Sequence, residues 1–119
     1  MEVTNVLAGV AVRDFDSALD WCERQLGRPA DAIPMENEPV AEWRLAPTRW
    51  IQLIGDPDRA GTALLTLAVN DLERQLAVLA ERHITPGPIS TAPGIVRTTL
   101  ISDPDGNTIT IAEDLAGDG

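Results

Sequence analysis

The chain repeats itself. Val12-Arg13-Asp14-Phe15-Asp16 lines up with Val69-Asn70-Asp71-Leu72-Glu73, 57 positions later. Ile51-Gln52-Leu53-Ile54-Gly55-Asp56 lines up with Ile109-Thr110-Ile111-Ala112-Glu113-Asp114, 58 positions later. Two registers that agree within one residue at opposite ends of a unit mark a duplication. Whatever the first half folds into, the second half folds into again. Neither half is long enough to bury a core alone, so the two must pair, within one chain or across a dimer. The 119 residues therefore read as a single domain, 1–119, of two modules, about 1–57 and about 61–115.

Each module reads as strand, helix, then up to three strands. Val3 to Val12 is apolar and small, as a strand requires, and Asp14 or Asp16 supplies a cap for the helix that follows. In that helix Phe15, Ala18, Leu19, Cys22 and Leu26 make one apolar stripe at helical spacing. Gly27 and Pro29 end it. Residues 30–39 hold Pro34, Pro39 and three acids, which predicts a loop or a weak edge strand. Ala41, Trp43 and Leu45 alternate with Glu42 and Arg44, predicting a half-buried strand over 40–46. Pro47-Thr48-Arg49 turns the chain into a strand from Trp50 to Ile54, and Gly55 to Gly61 is a polar connector. The second module starts with a strand from Thr62 to Val69 and a helix capped by Asp71. The Pro-rich and Gly-rich stretch 86–94 allows only a short or edge strand. Ile95 to Ser102 and Thr108 to Ala112 are strands joined by the turn Asp103-Pro104-Asp105-Gly106-Asn107. Gly117 to Gly119 reads as a frayed end.

Composition then removes whole classes of function. Nineteen acidic residues face nine basic ones, all Arg, for a net charge of −10. Nucleic-acid binding and docking on anionic membranes both need a basic surface, so neither is expected. A cationic ligand would be drawn in. No apolar run approaches the ~18 residues of a membrane helix. The opening MEVTNVLAGV lacks a basic stretch before a long apolar run, so no signal peptide is expected and a cytoplasmic protein is. Cys22 is the only cysteine, which leaves no internal disulfide and no thiolate cluster. It falls on the apolar stripe and reads as an inert core thiol. His83 is the only histidine and sits at a helix end, so no Ser–His–Asp arrangement is expected. The glycines form no phosphate loop.

Three features together resemble the vicinal oxygen chelate superfamily, which includes glyoxalase I, bleomycin-resistance proteins, extradiol dioxygenases and methylmalonyl-CoA epimerase. They are Val12-Arg13-Asp14 ahead of a helix with Trp21-Cys22 and Leu26-Gly27, the terminal Asp103-Pro104-Asp105-Gly106-Asn107 ahead of Ile109, and the duplication. The resemblance covers nearly the whole chain. It implies an α+β fold: two βαβββ modules forming a curled mixed β-sheet with helices on the outer face. In the enzymes of that superfamily one divalent ion, held by His, Glu or Gln side chains, activates the substrate. By the motif, the four ligand positions here are Leu7, Gln52, Leu64 and Thr110. Leucine has no lone pair, and Gln and Thr are weak neutral donors. No metal, no cofactor and no catalytic residue is therefore expected.

Alternation along the strands identifies a second, non-core face. It carries Leu7, Trp50, Gln52, Leu64, Thr66, Thr108 and Thr110, with Trp43 joining if its strand is so registered. That is an apolar surface with one amide and a few hydroxyls, the profile of an organic-ligand site. Trp50 can stack a flat or cationic molecule. Glu36, Glu38 and Glu42 could rim the cleft and attract a cation, or simply be solvated. The expectation is a metal-free small-molecule-binding homodimer, resembling the bleomycin-resistance branch and sequestering a cationic aromatic antibiotic. The alternative is a lyase, isomerase or dioxygenase of the same superfamily with an atypical or absent metal site.

Overall fold

The computed structural model describes residues 1–33 and 38–116. The element order is β1 (Val6–Val12), α1 (Phe15–Leu26), β2 (Val40–Ala46), β3 (Arg49–Gly55), β4 (Leu64–Val69), α2 (Leu72–Glu81), β5 (Ser90–Ala92), β6 (Val96–Ser102) and β7 (Thr108–Asp114). Each module makes its own mixed sheet, ordered β1-β3-β2 in the first and β4-β7-β6-β5 in the second. The fold is α+β and built of two βαβββ modules. In the first, the strand between helix and hairpin shrinks to one bridge, Ala32 with Glu42. Glu36 and Gly117 to Gly119 lie outside the described residues.

Local chemistry sets these boundaries. Asp14, rather than Asp16, caps α1: its carboxylate accepts from the Ser17 backbone at 3.2 Å and from the Ser17 hydroxyl at 2.9 Å. The hydroxyl bond first, then the backbone bond, holds the Asp14 carboxyl below its usual 3.8. Asp71 caps α2 in the same way through the Arg74 N–H at 3.1 Å. β1 begins at Val6, three residues later than the apolar run, because pairing starts where Val6 N–H reaches Thr48 at 3.0 Å. β4 begins at Leu64 because the Ala63 N–H is taken by the Asn107 side chain at 2.8 Å.

The duplication is exact in register to within the single extra residue. Leu7 pairs with Trp50 in β1–β3, and Leu64 pairs with Thr108 in β4–β7, both parallel. The helix ends repeat it too. Arg24 donates to the Arg82 carbonyl at 3.2 Å, and Arg82, 58 positions on, donates to the Arg24 carbonyl at 3.3 Å.

One core serves both modules. Val10, Val12, Ile51 and Leu53 from the first sheet and Ile101, Ile109 and Ile111 from the second are buried with Trp21, Cys22 and Leu72 of the helices. Asn107 joins the modules at the sheet ends. It is fully buried, accepts from Ala63 N–H, and donates to the Ala11 carbonyl at 2.8 Å and to Asp103 at 2.7 Å. Gly61 has φ +86°, and a Cβ there would lie 2.5 Å from the Asp105 carbonyl oxygen, so the connector can press on the 103–107 turn only as glycine.

Candidate ligand-binding site

Residues paired across neighbouring strands share a face, so strand register decides which of the sequence-selected residues meet. Leu7 sits opposite Trp50 and Gly9 opposite Gln52, which puts Leu7, Trp50 and Gln52 on one face of the first sheet. Leu64 sits opposite Thr108 and Thr66 opposite Thr110, which makes the equivalent face of the second sheet. The residues behind them, Ile51, Leu53, Ile109 and Ile111, are buried. Leu7 and Leu64 are exposed, at 44% and 86%.

These two faces belong to separate sheets, and no strand pair joins them among the described residues. Between the modules a groove of about 600 Å³ opens where the starts of β1 and β3 approach β4, walled largely from the core-facing side of the strands by Ala8, Ile51, Leu65 and Leu67. Trp50 and Thr66 both line it. Its other walls include Val6, Ala8, Leu26, Leu65 and Leu67, and its one charged lining residue is Arg49. Leu7, Gln52, Leu64, Thr108 and Thr110 are not among its walls. The Trp50 indole Nε1 is sealed from solvent with no hydrogen-bond partner among the described residues. A buried donor left unpaired costs about 1–3 kcal/mol.

Trp43 is elsewhere. It pairs with Ile51, on the core face of the hairpin, and is fully buried. Its indole donates to the Arg28 carbonyl at 3.0 Å. The expectation that Trp43 joins the cleft is therefore corrected: its hydrogen bond is satisfied inside the protein, and it packs under the sheet. Trp21 is also buried, at 8%.

Glu42 is the residue for which the sequence left two readings, a cleft rim or a solvated acid. It lies in the middle of β2, opposite Gln52, and accepts from Gln52 Nε2 at 2.8 Å. It is half-buried. The alternation of Glu42 with Trp43 carried the signal: once Trp43 is core, Glu42 must occupy the opposite, ligand-facing side.

The metal positions implied by the resemblance do not fit a divalent ion. Leu7 and Leu64 have no donor atom. Gln52 donates through Nε2 to Glu42, which leaves its neutral Oε1 and the Thr110 hydroxyl as the weak donors at these four positions. Among the described residues no three His, Cys, Asp or Glu side chains converge. His83 lies just past the end of α2, exposed, with φ 62°. Cys22 is 7% exposed, and burial above all pushes its thiol up to about 12, so it stays protonated and unreactive at neutral pH.

Against this geometry stand the known proteins. The family model described as Glyoxalase/Bleomycin resistance protein/Dioxygenase superfamily matches residues 5–111. A glyoxalase/bleomycin resistance protein from Catenulispora acidiphila DSM 44928 is 38% identical, with a TM-score of 0.83 over 92% of this chain and 96% of that one. A glyoxalase/bleomycin resistance protein from Streptomyces sp. CB03234 is 26% identical, with a TM-score of 0.73 over 90% and 97%. TnmS3, an antibiotic binding protein from the same Streptomyces, shares the fold at 24% identity, with a TM-score of 0.78 over 96% of each chain. No curated protein matches the sequence.

Proposed function

Given that the chain belongs to the glyoxalase/bleomycin resistance protein/dioxygenase superfamily, we propose that it binds a small organic molecule without a metal ion and sequesters it. The observation that carries this reading is the apolar groove of about 600 Å³ with Trp50 in its wall, a size suited to a drug-like molecule. A flat aromatic ligand would stack on the indole. The net charge of −10 favours a cationic ligand over an anionic one during approach. An antibiotic is the ligand class we favour, in keeping with TnmS3, an antibiotic binding protein of the same fold. Thr66 lines the same groove, and Gln52, with Thr110 on the equivalent face, would orient polar groups beyond it.

We take the working form to be a cytoplasmic homodimer. Leu64, Leu100 and Leu7, at 86%, 54% and 44% exposure, leave apolar surface that a second copy would cover. Sedimentation equilibrium should return twice the chain mass. A monomer at micromolar concentration would remove this part of the reading.

The binding claim is tested by calorimetric titration of a ligand found in a panel of cationic aromatic antibiotics. Trp50→Ala should weaken binding at least about tenfold, the effect of losing roughly 1.4 kcal/mol of stacking. Unchanged affinity would sink it.

A further inference from the structure

The duplication makes the two hairpin turns direct counterparts, and they end differently. Arg44 pairs with Trp50, and Ser102, 58 positions on, pairs with Thr108. Leu45 therefore stands where the second module has Asp103, and Arg49 where it has Asn107. In the second module this end is bonded shut. The buried Asp103 carboxylate accepts from the Asn107 N–H at 2.8 Å and from its side-chain amide at 2.7 Å. Asn107 then donates to the Ala11 carbonyl of the first module at 2.8 Å. None of these bonds has a counterpart in the first module. Leu45 has no side-chain acceptor and is 41% exposed. Arg49 makes no ion pair among the described residues. The side-chain hydrogen bonds that arginines donate there come from Arg13, Arg24, Arg28, Arg44, Arg82 and Arg97, and none from Arg49. Ala68, the counterpart of Ala11, lies with Arg49 in the wall of the 600 Å³ groove. The groove thus opens where the counterpart of the Asn107 junction is left unbonded.

Strand register places Arg49 in that wall. It stands opposite Val6 and two residues before Ile51, on the core-facing side of the first sheet, and all three line the groove. Arg49 is the one charged lining residue, and no acid faces it there. The smaller cavity that shares Leu26 and Leu67 with the groove, about 150 Å³, adds two glutamines and no charge. The other arginines at this end of the sheet are turned elsewhere. Arg44 is opposite Trp50, on the other side of the sheet, and donates to the Pro47 carbonyl at 3.1 Å. Arg28 is paired with Asp31 at 3.3 Å. Apart from Arg49 and Thr66 the lining is apolar, with Val6 59% exposed.

We infer that the groove seats an organic carboxylate: the apolar body of the ligand lies against Val6, Leu65 and Leu67, and its acid group pairs with Arg49, supplying the carboxylate that Asp103 supplies in the second module. The inference rests on the reading that an organic molecule binds in this groove, and it names the group that the groove selects. A guanidinium holds a carboxylate through two parallel charge-assisted N–H···O bonds, which a neutral amide cannot match. The net charge of −10 acts on a ligand as it approaches, whereas Arg49 acts on the molecule once seated. A ligand whose carboxylate enters the groove while a cationic group stays in solvent satisfies both.

Two matched probes test this: 1-naphthylacetate and the neutral, nearly isosteric 1-naphthylacetamide, titrated calorimetrically into the full chain. Salt of about 0.15 M screens charges beyond about 8 Å and leaves the contact with Arg49 in force. The wild type should bind the acetate about tenfold more tightly than the amide. Arg49→Gln removes an exposed charge that makes no bond inside the protein. It should bring the two probes within about twofold and leave the affinity for the amide unchanged. Arg44→Gln, on the opposite side of the sheet, should keep the preference. Equal affinities in the wild type, a preference that survives Arg49→Gln, or one lost in Arg44→Gln would overturn the inference while binding in the groove stands. If neither probe binds but an antibiotic of the panel does, the carboxylate subsite falls alone. If the antibiotics fail as well, both readings fall.

Discussion

Cys22 lies on the buried stripe of α1, and its thiol is pushed up to about 12 by burial first and then by the charges of Asp103 and Glu23. The unfolded thiol titrates near its ordinary value of 9.0. Between those values the unfolded chain releases a proton that the folded chain keeps, so stability is intact below pH 9 and falls as pH rises toward 12. The chain has no Tyr and its basic side chains are all Arg, so no other side chain titrates in that window. Urea unfolding from pH 8 to 11.5 should show stability falling by up to ~1.4 kcal/mol per pH unit above pH 9. Cys22→Ala should be flat across the same range, and an equal slope in that variant would refute the assignment. Asn107 makes the opposite kind of contribution, through bonds already formed. Removing its amide strands the Ala63 N–H and the Ala11 carbonyl at the module junction. Asn107→Ala should cost about 3 kcal/mol by chemical denaturation, while a loss below about 1 kcal/mol would mean the junction is held elsewhere. Alternation identified the face of Trp50 and Gln52 from sequence alone. The role of Asn107 was not legible, because Ala11 lies 96 positions away along the chain. Nor was the face of Trp43, which depends on a register shift between Arg44 and Ala46.

Among the elements, the two helices show how far a duplication preserves chemistry. Both begin on an aspartate that accepts from the third residue beyond it. They end differently. α1 stops at Gly27, φ 83°, with its N–H on the Glu23 carbonyl. α2 stops in a motif where Ile84 N–H reaches the Leu79 carbonyl at 3.0 Å and His83 N–H reaches Ala80 at 3.1 Å. His83 takes the left-handed position, φ 62°, where glycine is the unstrained residue. His83→Gly should therefore stabilise the protein by about 0.5–1 kcal/mol, after glycine's extra unfolded-state entropy is subtracted. A drop in melting temperature would show that the imidazole, rather than the backbone, matters there. Caps, strands and the 57-to-58-residue repeat were all visible in the sequence because they depend on local residue chemistry. The first strand was drawn three residues too long, since Val3, Thr4 and Asn5 lack the pairing partner that begins at Thr48.

The whole molecule is more open than its length requires. Its radius of gyration is 14.9 Å, against about 13.5 Å for a compact chain of this size. Each module makes its own sheet, and no strand pair joins the two among the described residues. No described helix is long and apolar enough to cross a membrane. The superfamily's metal chemistry needs four donor side chains, and two of the corresponding positions here are leucine. The central claim is that this chain binds an organic ligand with no metal ion taking part. Thermal denaturation of chelator-dialysed protein, with the antibiotic panel and with or without added divalent metal, tests that most directly. A ligand at about 100 times its Kd adds ~2.7 kcal/mol, a rise of roughly 10 °C for a domain of this size. The account predicts such a rise for at least one flat aromatic compound, the same with and without metal, and cut by about half or more in Trp50→Ala. Stabilisation that appears only when metal is added would contradict it.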